Sequence, residues 1–228
     1  MEAFMANSDD SGKTFILPEN VHVIDNPLVT DRLTVLRMTK TGNRKFREIV
    51  KEISGFIAYE IGATLPTKTV EIETPLCRTL QKRIDLQQPL AIVPILRAGI
   101  GMVSGFTDVY PDVQILNVGV QRDETTHAPI AYYQKFPSDI HRHKCIIIDP
   151  MLATGGSIDY TIDLLHRQGC EDIVVAAILT APEGIARLSD KYPDVPIYCC
   201  AVDSHLDEHK YIVPGLGDAG DRIFGTLD

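Results

Sequence analysis

A short stretch in the second half of the chain combines an acid, two hydroxyls and two glycines directly after an apolar run. The apolar run Cys145–Ile148 is followed by Asp149, Pro150, Met151, Leu152, Ala153, Thr154, Gly155, Gly156 and Ser157. The glycines let the backbone approach a ligand, so that several N–H groups and both hydroxyls can converge on one anion at a helix start. The pattern predicts a loop that binds a phosphate monoester, although an ordinary strand-to-helix turn with Ser157 as N-cap uses the same residue types. Asp149 would then accept from sugar hydroxyls or help place a magnesium ion.

Two further polar segments follow apolar runs. Arg97, Ala98 and Gly99 come directly after such a run, and an arginine beside bare amides is suited to a more highly charged group such as diphosphate. Arg122 opens a polar stretch that ends at Pro129 and that indicates a mobile loop able to fold over an anionic ligand. A plain surface hairpin explains that stretch equally well.

The fourth segment, Tyr211–Asp221, contains Gly215, Gly217 and Gly220 at the spacing of the dinucleotide-binding fingerprint. That fingerprint needs a strand before it, a helix after it and an acid about 20 residues further on. Pro214 precedes the glycines and only eight residues follow Gly220, so the sequence argues against a nicotinamide cofactor. What remains is the prediction of an open glycine loop that presents backbone groups to a flat polar ring.

The elements that must hold these segments have an α/β pattern. Five short apolar runs do not alternate with polar residues, which predicts strands buried on both faces and joined by helices in a parallel sheet. A ligand of such a sheet binds at the carboxyl ends of its strands, where the four segments lie. The predicted strands are Leu90–Leu96, Val113–Val120, Lys144–Ile148, Ile173–Thr180 and Val195–Val202, and the predicted helices are Thr41–Ile61, Ser157–Gln168 and Pro182–Asp190.

Composition excludes several classes of protein. With 228 residues, 44% of them hydrophobic, the chain is long enough for one sizeable domain, and its net charge of −9 disfavours nucleic acid or an anionic membrane as the main partner. The longest apolar run, Ile173–Leu179, is too short to span a membrane. Five cysteines without Cys-x-x-Cys spacing indicate reduced thiols in the cytoplasm rather than disulfides or a metal cluster. We expect residues 1–20 to form an irregular arm and residues 21–228 to form one domain.

Together the four segments resemble the type I phosphoribosyltransferases, and the run from Tyr211 through Gly225 narrows the resemblance to the uracil-specific branch of that family. The run from Asp149 to Ser157 is similar to the loop that binds phosphoribosyl diphosphate (PRPP). Arg97 and its neighbours are similar to the diphosphate loop, and Arg122 stands where the flexible loop supplies a basic residue. Pro150 departs from the second acid common in the wider superfamily and matches the uracil-specific form. The resemblance covers about residues 20–228.

The resemblance implies a single α/β domain whose mostly parallel sheet is flanked by helices, with a small base-binding hood formed by N- and C-terminal segments. It implies transfer of the phosphoribosyl group from PRPP to N1 of uracil, with magnesium bound mainly through PRPP and no direct protein ligand for it. Asp218, Arg97 and Asp149 are the implied catalytic residues, and Asp218 either supports positive charge at the ribosyl centre or orders PRPP. The implied PRPP-binding residues are Arg97, Arg122, Asp218 and each residue from Asp149 to Ser157; those for uracil are Tyr211, Ile212, Gly217, Asp218 and Ala219.

Some alternatives stay open at the level of sequence. One is a PRPP-binding regulator on the same fold that binds nucleic acid, and another is a transferase for a purine or for orotate, for which Tyr211 could stack on the base. The family resemblance implies a homodimer or homotetramer. Four cations near the start of the first predicted helix form a basic cluster that we interpret as a solvated helix face or, less readily, as the anchor of a GTP effector: Lys40, Arg44, Lys45 and Arg47.

Overall fold

A computed structural model describes residues 15–122 and 129–226. The helices are α1 (Pro27–Arg37), α2 (Asn43–Gly62), α3 (Ile100–Val109), α4 (Gly156–Arg167), α5 (Pro182–Lys191) and α6 (Ala219–Phe224). The strands are β1 (Val21–Val23), β2 (Thr67–Glu73), β3 (Arg78–Ile84), β4 (Leu90–Leu96), β5 (Gln114–Ile115), β6 (Val118–Arg122), β7 (Pro129–Gln134), β8 (Lys144–Ile148), β9 (Met151–Leu152), β10 (Asp172–Ala176), β11 (Leu179–Thr180), β12 (Ile197–Cys199), β13 (Ala201–Val202), β14 (His205–Leu206) and β15 (Ile212–Val213).

The main sheet has the strand order β1-β12-β10-β8-β4-β6-β7, with β5 paired to β4. Its pairings are parallel except for β6 with β7. The prediction of an α/β fold with a mostly parallel sheet is therefore confirmed. Three predicted strands are each broken in two, because β5 and β6, β10 and β11, and β12 and β13 are separate elements. The short strands β9, β11 and β13 form a second parallel sheet beyond β8, β10 and β12.

Both faces of the central strands are buried. Along β8, Ile146 and Ile148 contact the layer of α1, α2 and α3, whereas Cys145 and Ile147 contact the layer of α4 and α5. All four side chains are fully buried, which explains why the strand sequences do not alternate. In α2, the apolar side chains on which the helix prediction was based, from Phe46 to Ile57, are likewise buried. The central strands are therefore packed on both faces, and the polar segments follow their ends.

The ends of the chain and the cysteines complete this description. Phe15 and Leu17 pack on the α4–α5 side of the core, so part of the predicted arm contacts the domain. All five cysteines are free, and Cys77 alone among them is exposed. None of the helices within the described ranges is long and apolar enough to cross a membrane. The strands β2 and β3 form a separate antiparallel hairpin that the sequence patterns did not predict.

Candidate functional site

The loop after β8 leads into α4 through a backbone conformation that only glycine adopts easily. Gly155 is the N-cap of α4 and has φ of +76°, in the left-handed region that favours glycine. Among the described residues, the amides of Thr154, Gly155 and Ser157 have no protein acceptor, and the amide of Gly156 contacts only the Thr154 hydroxyl, at 3.5 Å. Unpaired amides at the positive end of a helix are suited to bind an anion.

Asp149 stands where β8 ends, at the base of this loop. Burial raises the pKa of its carboxyl group to about 7, and a hydrogen bond from the Met151 backbone acts in the opposite direction. The group can therefore exchange a proton near neutral pH. Its position after the strand and before the free amides is the one that the sequence predicted for a group beside the sugar.

The residues between Asp149 and Thr154 form the fixed base of the loop. The Pro150 carbonyl accepts from the amides of Ile178 and Leu179, both at 3.0 Å. The Leu152 side chain is fully buried in the core, and its carbonyl accepts from the Ala181 amide at 2.9 Å. Their carbonyls are thus engaged with neighbouring strands, and the Leu152 side chain cannot face a ligand.

The turn after β4 lies directly beside the turn after β8. A Cβ atom at Gly99 would stand 2.5 Å from the Ile148 carbonyl oxygen, so only glycine permits this approach. The turn presents Arg97, whose side chain is 61% exposed and lies 3.4 Å from an Asp221 carboxylate oxygen. The Leu96–Arg97 peptide is cis. The arrangement leaves most of the guanidinium open toward the same edge of the sheet as the Gly155 loop.

Arg122 ends β6, and its side chain lies outside the described residues together with residues 123–128. The prediction that it closes over an anion is therefore untested. The backbone of β6 pairs with β4, so the segment begins at the sheet edge where Arg97 also stands.

The C-terminal segment is more ordered than the open loop predicted from its glycines. After β15 comes a cis Val213–Pro214 bond, then Gly215 and Gly217 with positive φ, and α6 begins at Ala219. The open loop predicted over Tyr211–Asp221 is therefore shorter in the structure, because β15 covers Ile212–Val213 and α6 begins at Ala219. Asp218 is the N-cap of that helix and accepts from the Asp221 amide at 2.9 Å.

The C-terminal segment reaches the Arg97 turn. A Cβ atom placed on Gly220 would lie 3.2 Å from an Asp218 carboxylate oxygen, 3.9 Å from the Ala98 methyl group and 4.0 Å from Nη2 of Arg97. Asp218 and Arg97, which are far apart in sequence, therefore face one small region. The site brings together the turn after β4, the loop after β8 and the start of α6.

The other residues predicted for uracil differ in what they expose. Tyr211 is 48% exposed, and Gly217 is also exposed. The side chains of Ile212 and Ala219 are buried, and Ile212 pairs with Leu206 between β14 and β15. Ile212 and Ala219 can therefore contact a ligand only through their backbone atoms, as the sequence interpretation required.

Two arginines that the sequence patterns missed hold this segment in place. Arg37 of α1 forms a double ion pair with buried Asp203, at 2.6 and 2.7 Å, and donates to the Gly215 carbonyl at 2.7 Å. The Gly215 amide donates back to Asp203 at 2.8 Å. Asp203 follows β13 as Asp149 follows β8, so an acid at a strand end was the available signal.

Buried Arg222 is the second of these anchors. Its guanidinium donates to the carbonyls of Leu216 and Met38, each at 2.7 Å, and lies 4.3 Å from the ring centroid of Phe46. Burial lowers the pKa of this guanidinium. Arg222 therefore connects α6 to the turn between α1 and α2. No short sequence motif predicts this contact.

The predicted basic cluster is not a free cationic patch. Arg44 and Lys45 both pair with Glu48, at 3.0 and 3.6 Å. Arg47 donates to the Ile223 carbonyl of α6 at 2.8 Å. The interpretation as a solvated helix face holds for the first two cations, whereas Arg47 supports the C-terminal segment.

A well-defined cavity lies away from this site. A volume of about 680 Å³ between β3 and the end of α3 is lined by residues such as Arg83, Leu86 and Pro111, and it contains none of the predicted site residues. The described parts of the chain also contain no cluster of three or more His, Cys, Asp or Glu side chains that could hold a metal ion. The candidate site is the open edge of the sheet, where the anion-binding groups lie.

Comparison with known proteins gives a consistent result. The family model described as uracil phosphoribosyltransferase matches residues 23–226. Proteins named uracil phosphoribosyltransferase from Exiguobacterium sibiricum and Limosilactobacillus reuteri are 48% and 50% identical to this chain, each over 90% of it and over 98% and 97% of their own length. The solved structure of the AQ2163 protein from Aquifex aeolicus covers 90% of this chain and 97% of its own, with 29% identity and a TM-score of 0.82. Adenine phosphoribosyltransferase from Trypanosoma brucei shares the fold, with a TM-score of 0.54 and 15% identity over 87% of this chain and 88% of its own.

Proposed function

The chain belongs to the uracil phosphoribosyltransferase family, and from this premise we propose how its residues carry out the reaction. The enzyme is a pentosyltransferase that moves the 5-phosphoribosyl group of PRPP to N1 of uracil and releases UMP and diphosphate. The observation that carries this conclusion is the family match over residues 23–226, which includes the loop after β8 and the segment around α6.

The loop from Ala153 to Ser157 binds the 5′-phosphate in this proposal. Its support is the set of amides without protein acceptors at the start of α4, together with the hydroxyls of Thr154 and Ser157. Hydrogen bonds to a charged group are worth about 1.5–3 kcal/mol each, so a few of them suffice to anchor the sugar phosphate. Asp149 then accepts from the ribose hydroxyls, and burial raises the pKa of its carboxyl group to about 7.

Arg97 receives the diphosphate leaving group. Its support is an exposed guanidinium on a turn that abuts the end of β8, so that it faces the far side of a sugar held by the Gly155 loop. A guanidinium stabilises negative charge that builds up on a departing diphosphate in the transition state. The long contact of Arg97 with Asp221 is one that a diphosphate would displace.

Magnesium enters with PRPP in this proposal. Asp149 is followed by Pro150 rather than by a second acid, and the described residues hold no cluster of metal-binding side chains, which suits an ion held by the oxygens of diphosphate and ribose and by water. When bound there, magnesium neutralises charge on the leaving group. No protein ligand for it is proposed.

The segment around α6 binds uracil and reads its edge through backbone atoms of Ile212, Gly217 and Ala219. The buried side chains of Ile212 and Ala219 support this, since only their main-chain groups are available. A site of paired polar groups can reject a ring with donor and acceptor exchanged by about 10⁴-fold, so cytosine should fail. Tyr211 remains a candidate for stacking on the base.

Asp218 stands between the two substrates. Its carboxylate caps α6 and lies on the side of Gly220 that faces Ala98 and Arg97, which supports a role beside the ribosyl centre. Departure of diphosphate leaves an oxocarbenium-like carbon that uracil N1 attacks from the opposite face with inversion, and a carboxylate there stabilises positive charge. Arg122 is proposed to close the site from the loop after β6 and so to limit hydrolysis.

We also propose a homodimer or homotetramer. The hairpin of β2 and β3 is a separate sheet in which Leu76 and Leu80 are 94% and 66% exposed, and an isolated two-stranded hairpin is marginally stable in water. A GTP effector at the basic cluster has weaker support, because three of its four cations already have partners. Five free cysteines suit the cytoplasm.

The proposed function is tested by a release assay. The purified chain is incubated with uracil, PRPP and magnesium, and UMP and diphosphate are measured by chromatography. We expect equal amounts of the two products, and we expect no nucleotide when cytosine, adenine, hypoxanthine or orotate replaces uracil. Absence of UMP, or faster reaction with another base, would contradict the assignment to uracil.

A further inference from the structure

A carboxylate stands close to the place where the phosphate is proposed to bind. Asp159 lies in the first turn of α4, and only 10% of its side chain is exposed. An acid in a first helical turn stabilises the helix, but the same charge opposes a phosphate dianion bound at the helix start. The phosphate loop therefore requires something that cancels the charge of Asp159.

Helix α5 supplies the cancelling charges. Arg187 donates to one oxygen of Asp159 from Nε at 2.9 Å and from Nη2 at 2.5 Å. Lys191 and the Tyr192 hydroxyl donate to the other oxygen, both at 2.7 Å. Lys191 also donates to Asp163 at 2.8 Å, and the Tyr192 oxygen lies 2.7 Å from an Asp163 oxygen, so that Asp159 and Asp163 share the single proton of this hydroxyl. Asp163, the second acid of the cluster, lies one turn further from the loop.

The cluster keeps Asp159 ionised although it is buried. Burial by itself favours the protonated form, and the hydrogen bonds from Lys191, Tyr192 and Arg187 together lower the pKa of Asp159 below its ordinary value. The same contacts raise the pKa of Lys191. At neutral pH the two acids and the two cations of the cluster therefore balance each other.

Arg187 differs from Lys191 because its side chain also lies beside the glycines of the phosphate loop. Its Cδ atom would lie 3.4 Å from a Cβ atom on Gly155, and its Nη1 atom would lie 3.7 Å from a Cβ atom on Gly156. The same point beside Gly156 is 3.7 Å from the Thr154 hydroxyl. Within the described ranges, Nη1 has no hydrogen-bond acceptor in the protein, since Asp159 uses Nε and Nη2. The guanidinium is therefore held by one edge and presents the other to the loop.

We propose that Arg187 is a positioning residue of the 5′-phosphate site, which cancels the charge of Asp159 and braces the Gly155–Gly156 turn from the side of α5. The proposal rests on the proposed function, because it assumes that this loop binds the sugar phosphate. Its specific content is that the effect of Arg187 is confined to the phosphate end of PRPP and acts through Asp159.

The test compares Arg187→Met with the double variant Arg187→Met, Asp159→Asn. Methionine keeps an apolar stem against Gly155 and removes the charge. We expect the Kd for ribose 5-phosphate, measured by calorimetry, to rise about tenfold in the single variant and to return to within about threefold of wild type in the double variant. The Kd for inorganic diphosphate should change less than twofold in both, and Arg187→Lys should recover part of the loss.

Steady-state kinetics give a second readout. The KM for PRPP should rise about tenfold in Arg187→Met while kcat and the KM for uracil stay within twofold, which a general loss of folding would not produce. The matched control is Arg167→Met, because Arg167 is an arginine at the far end of α4. It changes the net charge equally and should leave ribose 5-phosphate binding unchanged.

The proposal is overturned if ribose 5-phosphate binding is unaffected in Arg187→Met, if diphosphate binding weakens in parallel, or if removal of Asp159 in the double variant restores nothing. Since calorimetry needs no turnover, these results decide the role of Arg187 independently of catalysis. Failure of the proposed function would instead appear as absence of UMP formation by the wild-type chain.

Discussion

The phosphate side and the base side of the site are held in place by different kinds of contacts. The phosphate side, Asp149–Ser157 and the start of α4, is formed by one continuous piece of chain whose shape depends on Gly155 and on pairing with the next strand. The base side, Tyr211–Gly225, is held by arginines from the N-terminal helices: the bonds from Arg37 and Arg47 to this segment span 178 and 176 residues. The first is local and the second depends on the whole fold.

Two acids at strand ends, half-buried Asp149 and buried Asp203, show the same difference. On the phosphate side, no cation among the described side chains pairs with Asp149, and burial raises its pKa to about 7. Asp203, on the base side, is bound by both terminal nitrogens of Arg37 and by the Gly215 amide. The phosphate side therefore carries an uncompensated acid within its binding surface, whereas the base side uses its acid as a structural anchor. Mutations should separate the two sides by their effects on stability and on each substrate.

The largest expected effect comes from Asp218, where the two sides meet. Asparagine caps helices about as well as aspartate, so Asp218→Asn should keep the bond to the Asp221 amide and remove only the charge. We expect kcat to fall by about 10²–10³-fold, the range found when one charge-stabilising group is removed, with an unchanged melting temperature. Steady-state kinetics and thermal unfolding check this, and near wild-type turnover would remove Asp218 from the chemistry.

The phosphate side could be predicted from sequence because its information is contiguous. An apolar strand, an acid, two glycines and a helix start stand within a dozen residues, and the strand Lys144–Ile148 was predicted with its observed bounds. The neighbouring turn at Arg97 followed for the same reason. Each signal there is a short-range rule of backbone geometry, which does not need the tertiary structure.

On the base side, the residues predicted a glycine loop that faces a polar ring, the resemblance was needed to specify uracil, and the arginines that hold the segment were missed. Nothing near Arg37 in the sequence indicates that its partners are Asp203 and Gly215, and nothing near Arg222 indicates that it donates to the Met38 carbonyl. The helix α6 was missed because six residues are too few for a periodic pattern, although Asp218 is a normal N-cap and Gly225 a normal C-terminal glycine. Helix α1 had a usable signal, Asn26 followed by Pro27 at the first helical position, which the apolar pattern did not reinforce.

Loss of the Arg37 anchor should have the next largest effect, in this case on the free energy of unfolding. Arg37→Met leaves buried Asp203 without its cation, which typically costs about 3–5 kcal/mol in the free energy of unfolding. Because Gly215 loses a donor as well, the KM for uracil should rise at least about tenfold, while ribose 5-phosphate binding changes less than twofold. Urea unfolding and calorimetry measure these quantities.

The matched control for this anchor is Arg32→Met on the same helix. Arg32 is 40% exposed and pairs with Asp31 and Glu52, so its loss should cost less than about 1 kcal/mol and leave both substrates unaffected. Equal losses in the two variants would show that helix α1 as a whole, rather than the contact with Asp203, supports the base side.

On the phosphate side, removal of a charged group should stabilise the folded chain instead of destabilising it. The folded pKa of Asp149, about 7, lies above the ordinary value of 3.8, so its ionisation favours the unfolded chain as the pH rises from about 4 to 7. Asp149→Asn should therefore be more stable than wild type at pH 8, by about 2–4 kcal/mol, with little gain at pH 4, and should be inactive. Thermal unfolding across pH checks this against exposed Asp190→Asn, and a gain that does not depend on pH would contradict the buried charge.

A smaller effect is expected at the phosphate turn. Gly155→Ala places a Cβ on a residue with φ of +76°, which costs about 1–2 kcal/mol, whereas a Cβ on Gly156 has no contact closer than 3.7 Å. We therefore expect Gly155→Ala to raise the KM for PRPP about tenfold without changing the KM for uracil, and Gly156→Ala to lose less stability. A loss of uracil affinity equal to that of PRPP would show that the two sides are not independent.

The smallest effect distinguishes two arginines of one helix. Arg47 donates to the Ile223 carbonyl of α6, so Arg47→Ala should cost about 1 kcal/mol and raise the KM for uracil a few-fold. Arg44, 90% exposed and paired with Glu48, should tolerate the same change within about 0.5 kcal/mol and without effect on either substrate. Arg44→Ala could instead raise the KM for uracil as much as Arg47→Ala does. That result would show that the charge of the cluster matters rather than the bond to α6. The base side would then depend on surface electrostatics instead of on fixed long-range contacts.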